Sequence, residues 1–257
     1  MDTWNQGDSY ESYMGRWSRL LAHRFIDWLA LPAGYDWLDV GCGTGALASA
    51  IAESAGPHRI SGIDPSPGFI EEARRTLGES PDLRVGDAQE LPFVENEFDA
   101  SVSGLALNFI ADPEIAVREM RRVTRGGGTV AAYVWDYGAG MEMIRKFWDA
   151  AVYLDPTVTS LDEASRFPLC REEALSQLFT ESGLQEVRAT ALEITTTFQG
   201  FDDFWRPFLG GQGPAPSYVL SLDEPARLRL ETRLRDDLPG EGEINLTARA
   251  WAVGGTV

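Results

Sequence analysis

Leu38-Asp39-Val40-Gly41-Cys42-Gly43-Thr44-Gly45 runs from an apolar segment into three glycines at alternate positions, and a helical pattern begins at Ala46. Glycine has no Cβ, so a chain rich in it turns sharply and lets its backbone approach a ligand closely. The helix that follows offers unpaired N–H groups and the positive end of its dipole. A strand, a tight glycine turn and a helix in that order form a cradle for a nucleotide or a nucleotide-like cofactor.

Outward from this turn, strand and helix patterns alternate. Asp36 to Val40 reads as the first strand, and Ala46 to Ala55 as the helix after the glycines. Arg59 to Ile63 is a second strand ending at Asp64-Pro65-Ser66-Pro67, and Phe69 to Leu77 is a helix. Leu83 and Val85 mark a short third strand, and Phe98 to Ser103 a fourth. Asp112-Pro113 opens the next helix, with Asp as cap and Pro in the first turn. Gly126-Gly127-Gly128 is expected to end that helix, with a fifth strand over Thr129 to Trp135. Such alternation means a parallel, doubly wound sheet.

Before it, Arg16 to Leu31 reads as an amphipathic helix, with Trp17, Leu21, Phe25 and Trp28 at helical spacing. After it the pattern is less regular. Strands are expected over Gln185 to Thr197 and Ile244 to Val253, separated by long inserts. One domain over 1–257 is expected, with an N-terminal cap 1–31 and a core of 32–136, 185–200 and 243–257. The lid or substrate inserts are then 137–184 and 201–242. Phe198, Phe201, Phe204, Trp205, Phe208 and Tyr218 crowd the second insert. Aromatics this dense suit either an apolar lid over a small or planar substrate or the contact surface of a homodimer.

Composition narrows the partners. The 257 residues carry a formal charge of −18, and Lys146 is the sole lysine. A field of that sign repels phosphate backbones, so nucleic acid is not expected as a partner. Arg118, Arg121, Arg122 and Arg125 do not reverse this, because three of them fall in the last turns of a helix, where cations suit the dipole. Cys42 and Cys170 suggest neither a disulfide framework nor a metal site, and no metal is expected. The polar start and the lack of a long apolar run make the cytoplasm the expected location and a membrane an unexpected partner.

The glycines alone leave two cofactors open. Gly41-x-Gly43-x-x-Ala46 fits the permissive dinucleotide pattern, and Asp64 stands about 20 residues on, as that pattern asks. The wider set is more specific. Asp39 to Gly45, Gly62-Ile63-Asp64-Pro65-Ser66, Val85 to Phe93, Phe98 to Ser103 and Glu119 to Gly128 occur in order. Together they resemble class I S-adenosylmethionine-dependent methyltransferases of type 11, the subfamily that includes quinone-biosynthesis C-methyltransferases. The resemblance covers about residues 10 to 135. It implies a Rossmann-like, mostly parallel seven-stranded sheet with an antiparallel final strand, helices on both faces and helical lid inserts. It also implies S-adenosylmethionine as cofactor and a small-molecule acceptor.

S-adenosylmethionine has no pyrophosphate, so polar groups must clamp both of its ends. The resemblance puts Asp64, followed by Pro65, on the ribose hydroxyls. Asp87 or the Ala88 amide takes the adenine, with Ile63, Leu91 and Leu105 around the ring. Asp39 and the Gly41 backbone face the methionine ammonium, with Cys42, Gly43 and Gly45 completing the turn. Arg16 is a candidate for the methionine carboxylate. Methyl transfer from a sulfonium needs positioning more than a fixed base, and no catalytic base is assigned. Asn108, Tyr133, Trp135 and Tyr10 are positioning candidates; His23 and His58 are expected to be structural or solvent-facing. A non-catalytic S-adenosylmethionine-binding protein and an NAD-dependent oxidoreductase are the alternatives.

Overall fold

The computed structural model describes residues 15–78, 80–210, 213–240 and 242–257; Tyr10 lies outside them. The chain divides into two compact units. One holds Ser18–Val134, Leu169–Leu192 and Ala250–Val257; the other holds, among the described residues, 15–17 together with Trp135–Pro168 and Glu193–Arg249. We call them the glycine-turn unit and the insert unit.

In chain order the elements are α1 (Arg16–Leu29), β1 (Asp36–Val40), α2 (Ala46–Ser54), β2 (Arg59–Asp64), α3 (Pro67–Leu77), β3 (Asp82–Val85) and β4 (Phe98–Gly104). A short 3₁₀ turn, Leu107–Phe109, precedes α4 (Pro113–Val123) and β5 (Thr124–Trp135). Then come α5 (Glu142–Leu154), a 3₁₀ segment Pro156–Leu161, α6 (Glu163–Arg166), α7 (Glu172–Glu181) and β6 (Gln185–Phe198). The chain closes with α8 (Phe201–Trp205), a 3₁₀ segment Arg206–Gly210, α9 (Pro214–Ser221), α10 (Glu224–Asp237) and β7 (Ile244–Thr256).

The sheet has seven strands in the order β3-β2-β1-β4-β5-β7-β6. Strands β1 to β5 pair in parallel, with Leu38 beside Ser61 on one side and Ser101 on the other. β7 is antiparallel to β5: Gly127 donates to the Val257 carbonyl at one end and Asp136 to the Arg249 carbonyl at the other. The doubly wound sheet with a reversed final strand is therefore as expected. The central strands are buried on both faces, so β1 buries Trp37, Leu38 and Val40 and takes Asp39 into the interior with them. α1 lays its apolar stripe on the sheet, where Phe25 meets Tyr133 with ring centroids 4.6 Å apart.

The triple glycine has a different place from the expected one. α4 ends at Val123 and Gly126-Gly127-Gly128 lies inside β5. Phe98 faces Thr124 and Ala100 faces Thr129, so β5 carries three extra residues at this point. Gly127 absorbs the bulge at φ +78°. A Cβ on Gly128 would fall 2.7 Å from the Asp99 carbonyl oxygen. The glycines serve a strand bulge, which a helix-stop reading by composition does not distinguish.

Arg125, beside the bulge, helps close the end of the sheet where the strands begin. Its guanidinium binds Asp99 and Asp36 and donates to the Glu97 carbonyl. Arg59 pairs with Glu97 at 3.0 Å, and His58 sits 2.7 Å from Asp36. Burial pushes the Asp36 carboxyl up, but His58, Arg59 and Arg125 together hold it below its usual value. His23 meets Ser54 and Glu53. Both histidines thus make surface contacts at a distance from the glycine turn in sequence and serve structure.

The insert unit has its own aromatic core. Phe147 and Phe208 stack at 4.6 Å, Phe204 packs between Phe198 and Phe208, and Trp148 lies against Phe147 and Tyr218. Phe147, Trp148, Phe198, Phe204 and Phe208 are fully buried. The aromatics expected to line a lid or meet a second subunit therefore pack mainly on one another. Periodicity in short helices does not show which neighbour covers a ring.

Candidate functional site

The glycine turn adopts the geometry its composition demands. Gly41, Gly43 and Gly45 all have positive φ, at +73°, +53° and +92°. The amides of Gly41 and Cys42 both donate to the Ile63 carbonyl, which ties the turn to β2. A Cβ on Gly41 would lie 2.4 Å from the Cβ of Ala106, whereas one on Gly43 would have no other atom within 4 Å. Gly41 is thus a packing glycine and Gly43 an open one. Gly45 caps α2 in the left-handed region.

Asp39, on β1 just before the turn, is completely buried, and neither carboxylate oxygen has a hydrogen-bond partner. Burial, with repulsion from Asp64 added, pushes its carboxyl up to about 8; the Ala48 amide, near but outside hydrogen-bond geometry, opposes this. An unpaired buried carboxylate costs several kcal/mol, on the order of what unfolds a marginal domain. The group suits a cationic donor brought by a ligand.

Asp64 ends β2 and is 7% exposed. One of its oxygens accepts the Gly43 amide at 3.0 Å and the other the Ser66 amide at 2.8 Å. Burial raises its pKa, and the two amides work against that. The amides fix the carboxylate's orientation while each oxygen keeps a lone pair for a hydroxyl donor. Pro65 is exposed, and Ser66 caps α3.

After β3, Asp87 is exposed and Ala88 buried. Gln89, which the sequence reading passed over, closes this corner. Its amide and side chain both donate to Asp87, and its side-chain oxygen accepts the Asp112 amide. An Asp-x-Gln step in a turn was the available signal. Leu91 and Ile63 are buried, and Glu119 holds the Leu91 amide at 2.9 Å.

After β4, Leu105 sits at φ +58° and donates to the Tyr133 carbonyl at 2.8 Å. A leucine in the left-handed region stores about 1–2 kcal/mol of strain, and such strain collects where a chain is shaped for a ligand. Three residues on, the Asn108 side-chain nitrogen is buried without a partner.

Three further site candidates are largely buried among this chain's own residues, and Arg16 keeps two guanidinium nitrogens without a hydrogen-bond partner. Tyr133 is 1% exposed and its hydroxyl lies where a Gly104 Cβ would fall, so its burial serves packing. Trp135 is likewise buried. Arg16 lies over the Trp17 and Phe198 rings and pairs with Asp203 at 3.1 Å. Its carboxylate partner comes from this chain, 187 residues away, a pairing no local pattern reveals. Cys42 is 5% exposed, and burial with the nearby Asp39 and Asp64 charges raises its thiol well above its ordinary value, so it is not a reactive thiolate.

Comparison with known proteins decides between the two cofactors. A family model described as a methyltransferase domain matches residues 38–132. The chain is 31% identical over 179 residues to the demethylmenaquinone methyltransferase of Desulfitobacterium hafniense, covering 60% of this chain and 68% of that protein. It belongs to the class I S-adenosylmethionine-dependent methyltransferases.

Solved structures agree in architecture. The Bacillus subtilis YcgJ protein superposes with a TM-score of 0.57 at 19% identity over 92% of this chain and 97% of its own. Phosphoethanolamine N-methyltransferase 2 of Haemonchus contortus does so with 0.58 at 17%, over 97% of this chain and 56% of its own. As a member of that family the chain uses S-adenosylmethionine. The orphaned, buried Asp39 carboxylate lacks a cation, and the open side of Gly43 leaves room for a chain to pass. Among the described residues no group of His, Cys, Asp and Glu is arranged to hold a metal, and no helix is long and apolar enough to cross a membrane.

Proposed function

We propose that Asp39, Gly41, Gly43, Asp64 and the Asp87–Ala88 corner hold S-adenosylmethionine for methyl transfer to a small molecule, with Asp39 on the methionine ammonium and Asp64 on the ribose hydroxyls. The observation that carries this reading is the Asp39 carboxylate, buried to 0% exposure with both oxygens unpaired. The Gly41 amide is spent on Ile63, so its carbonyl, an acceptor, is what remains for an ammonium. Cys42 and Gly45 shape the turn. Leu105 and Ala88 supply apolar surface for the adenine.

S-adenosylmethionine would supply the methyl group as a sulfonium whose leaving group is a neutral thioether, and a ring carbon taking the methyl would give up its proton. The protein's part is to orient the two reactants and keep water out. Asn108, whose side-chain nitrogen lacks a partner, is the proposed residue for orienting an acceptor oxygen. The similarity to demethylmenaquinone methyltransferases supports a reduced quinone ring as the acceptor.

Calorimetric titration tests the cofactor: S-adenosylmethionine should bind and NAD should not. Asp64→Asn keeps an acceptor for one of the two backbone amides and turns its NH2 toward the other, so a thermal melt is read beside the titration. The substitution should raise the S-adenosylmethionine Kd roughly 100-fold, the loss of one or two charged hydrogen bonds. An unchanged Kd would remove Asp64 from the site. Transfer of labelled methyl to demethylmenaquinol tests the acceptor.

A further inference from the structure

In the insert unit, the segment 155–167 packs on α5 and is fastened to it by two acidic side chains. Asp155 caps the 3₁₀ segment and Asp162 caps α6. Asp162 takes the Arg145 guanidinium through both oxygens, at 3.0 and 2.7 Å. Glu163, next in the chain, is 2% exposed and accepts the Trp148 indole N–H. Phe167 closes the far end against Tyr137 with centroids 5.7 Å apart.

The two fastenings differ in kind. Asp162 is compensated by a cation. Glu163 is not: the charged groups acting on it are Asp162, which repels its ionised form, and Arg145, already spent on Asp162. From α9, Tyr218 reaches this region only through the Trp148 ring, 5.7 Å away, and it too is raised by burial. Nothing in the cofactor set uses Glu163. Its neutral form fits where it lies, whereas its ionised form has an indole N–H and its own amide as the groups that favour it besides Arg145.

We propose that segment 155–167 is a proton-sensitive latch, held more tightly on α5 while Glu163 is neutral and loosened, against the persisting Asp162–Arg145 pair, when Glu163 ionises. Loosening uncovers Trp148, which is otherwise fully buried against Phe147 and Tyr218. Burial pushes the Glu163 carboxyl up to about 7, which places the change in the neutral range. This inference does not depend on the cofactor reading.

Hydrogen exchange of the full-length, ligand-free protein, read by mass spectrometry between pH 6 and 8.5, tests it. After correction for the intrinsic rate, peptides from 155–167 should lose protection roughly tenfold across that range, the linkage expected of a closed-state pKa near 7 against an ordinary glutamate when open. Peptides from β4 should not change. Glu163→Gln keeps an acceptor for the indole but does not ionise, so its 155–167 peptides should show one protection at all pH values. A wild-type segment with flat protection, or a Glu163→Gln variant with the same tenfold loss, overturns the latch.

Discussion

Replacing Asp39 by asparagine should raise the melting temperature of the ligand-free protein and, in the same variant, remove S-adenosylmethionine binding. The two effects have one cause. Asp39 is buried with no partner, and its carboxyl is pushed up to about 8 from an ordinary 3.8. The folded protein therefore holds that proton more tightly than the unfolded chain does. The sign follows: this group leaves stability highest below about pH 4, lowers it as pH rises toward about 8, and changes nothing further above that. Asparagine carries no charge to bury. It still buries an amide, so the net gain is about 2 kcal/mol at pH 7.5, or roughly 4–8 °C for a chain of this size.

On the proposed placement the same change takes away the anion for the ligand's ammonium, which should cost 100-fold or more in Kd. Wild-type affinity should also climb with pH, about tenfold per unit below pH 8, because binding must displace the Asp39 proton. Thermal melts and calorimetry read both quantities. A lower melting temperature would show that Asp39 has a structural partner; an unaltered Kd would move the ammonium elsewhere.

The glycine pair gives the second large effect. Gly41→Ala should destabilise the fold by about 3 kcal/mol, because it adds left-handed strain to a contact of 2.4 Å with the Ala106 Cβ. Gly43→Ala has no such contact. It should cost only about 1 kcal/mol in added backbone strain, yet on the proposed placement its methyl group enters the cofactor's space. The expected result is a nearly normal melt with S-adenosylmethionine affinity reduced at least tenfold. Were Gly43→Ala to bind normally, the cofactor would not pass over the turn. Were Gly41→Ala to melt like wild type, the β4 loop would have yielded, and Leu105 would be the place to look.

What the residues showed without a structure was largely what local rules govern. Alternate glycines demand positive φ, and all three have it. Apolar runs flanked by turn residues became β1, β2 and β4, and Asp112-Pro113 opens α4 with its side chain on the Glu114 and Ile115 amides. The ordered motifs from Asp39 to Gly128 were enough to name the family. Where local rules permit two outcomes, sequence fell short. Gly126-Gly127-Gly128 can end a helix or bulge a strand, and the antiparallel return of β7 beside β5 decides for the bulge.

The sequence by itself determined the central strands and the glycine turn, because those depend on spacing within a few tens of residues, and its resemblance to a known family supplied the choice of methyl donor. Tertiary structure alone decided the rest. It paired Arg16 with Asp203, turned the insert aromatics into a core, left Asp39 without a partner, and set Glu163 under Trp148. Each of these depends on which distant group shares a buried space, and burial is a property of the folded chain that neighbours in sequence do not carry.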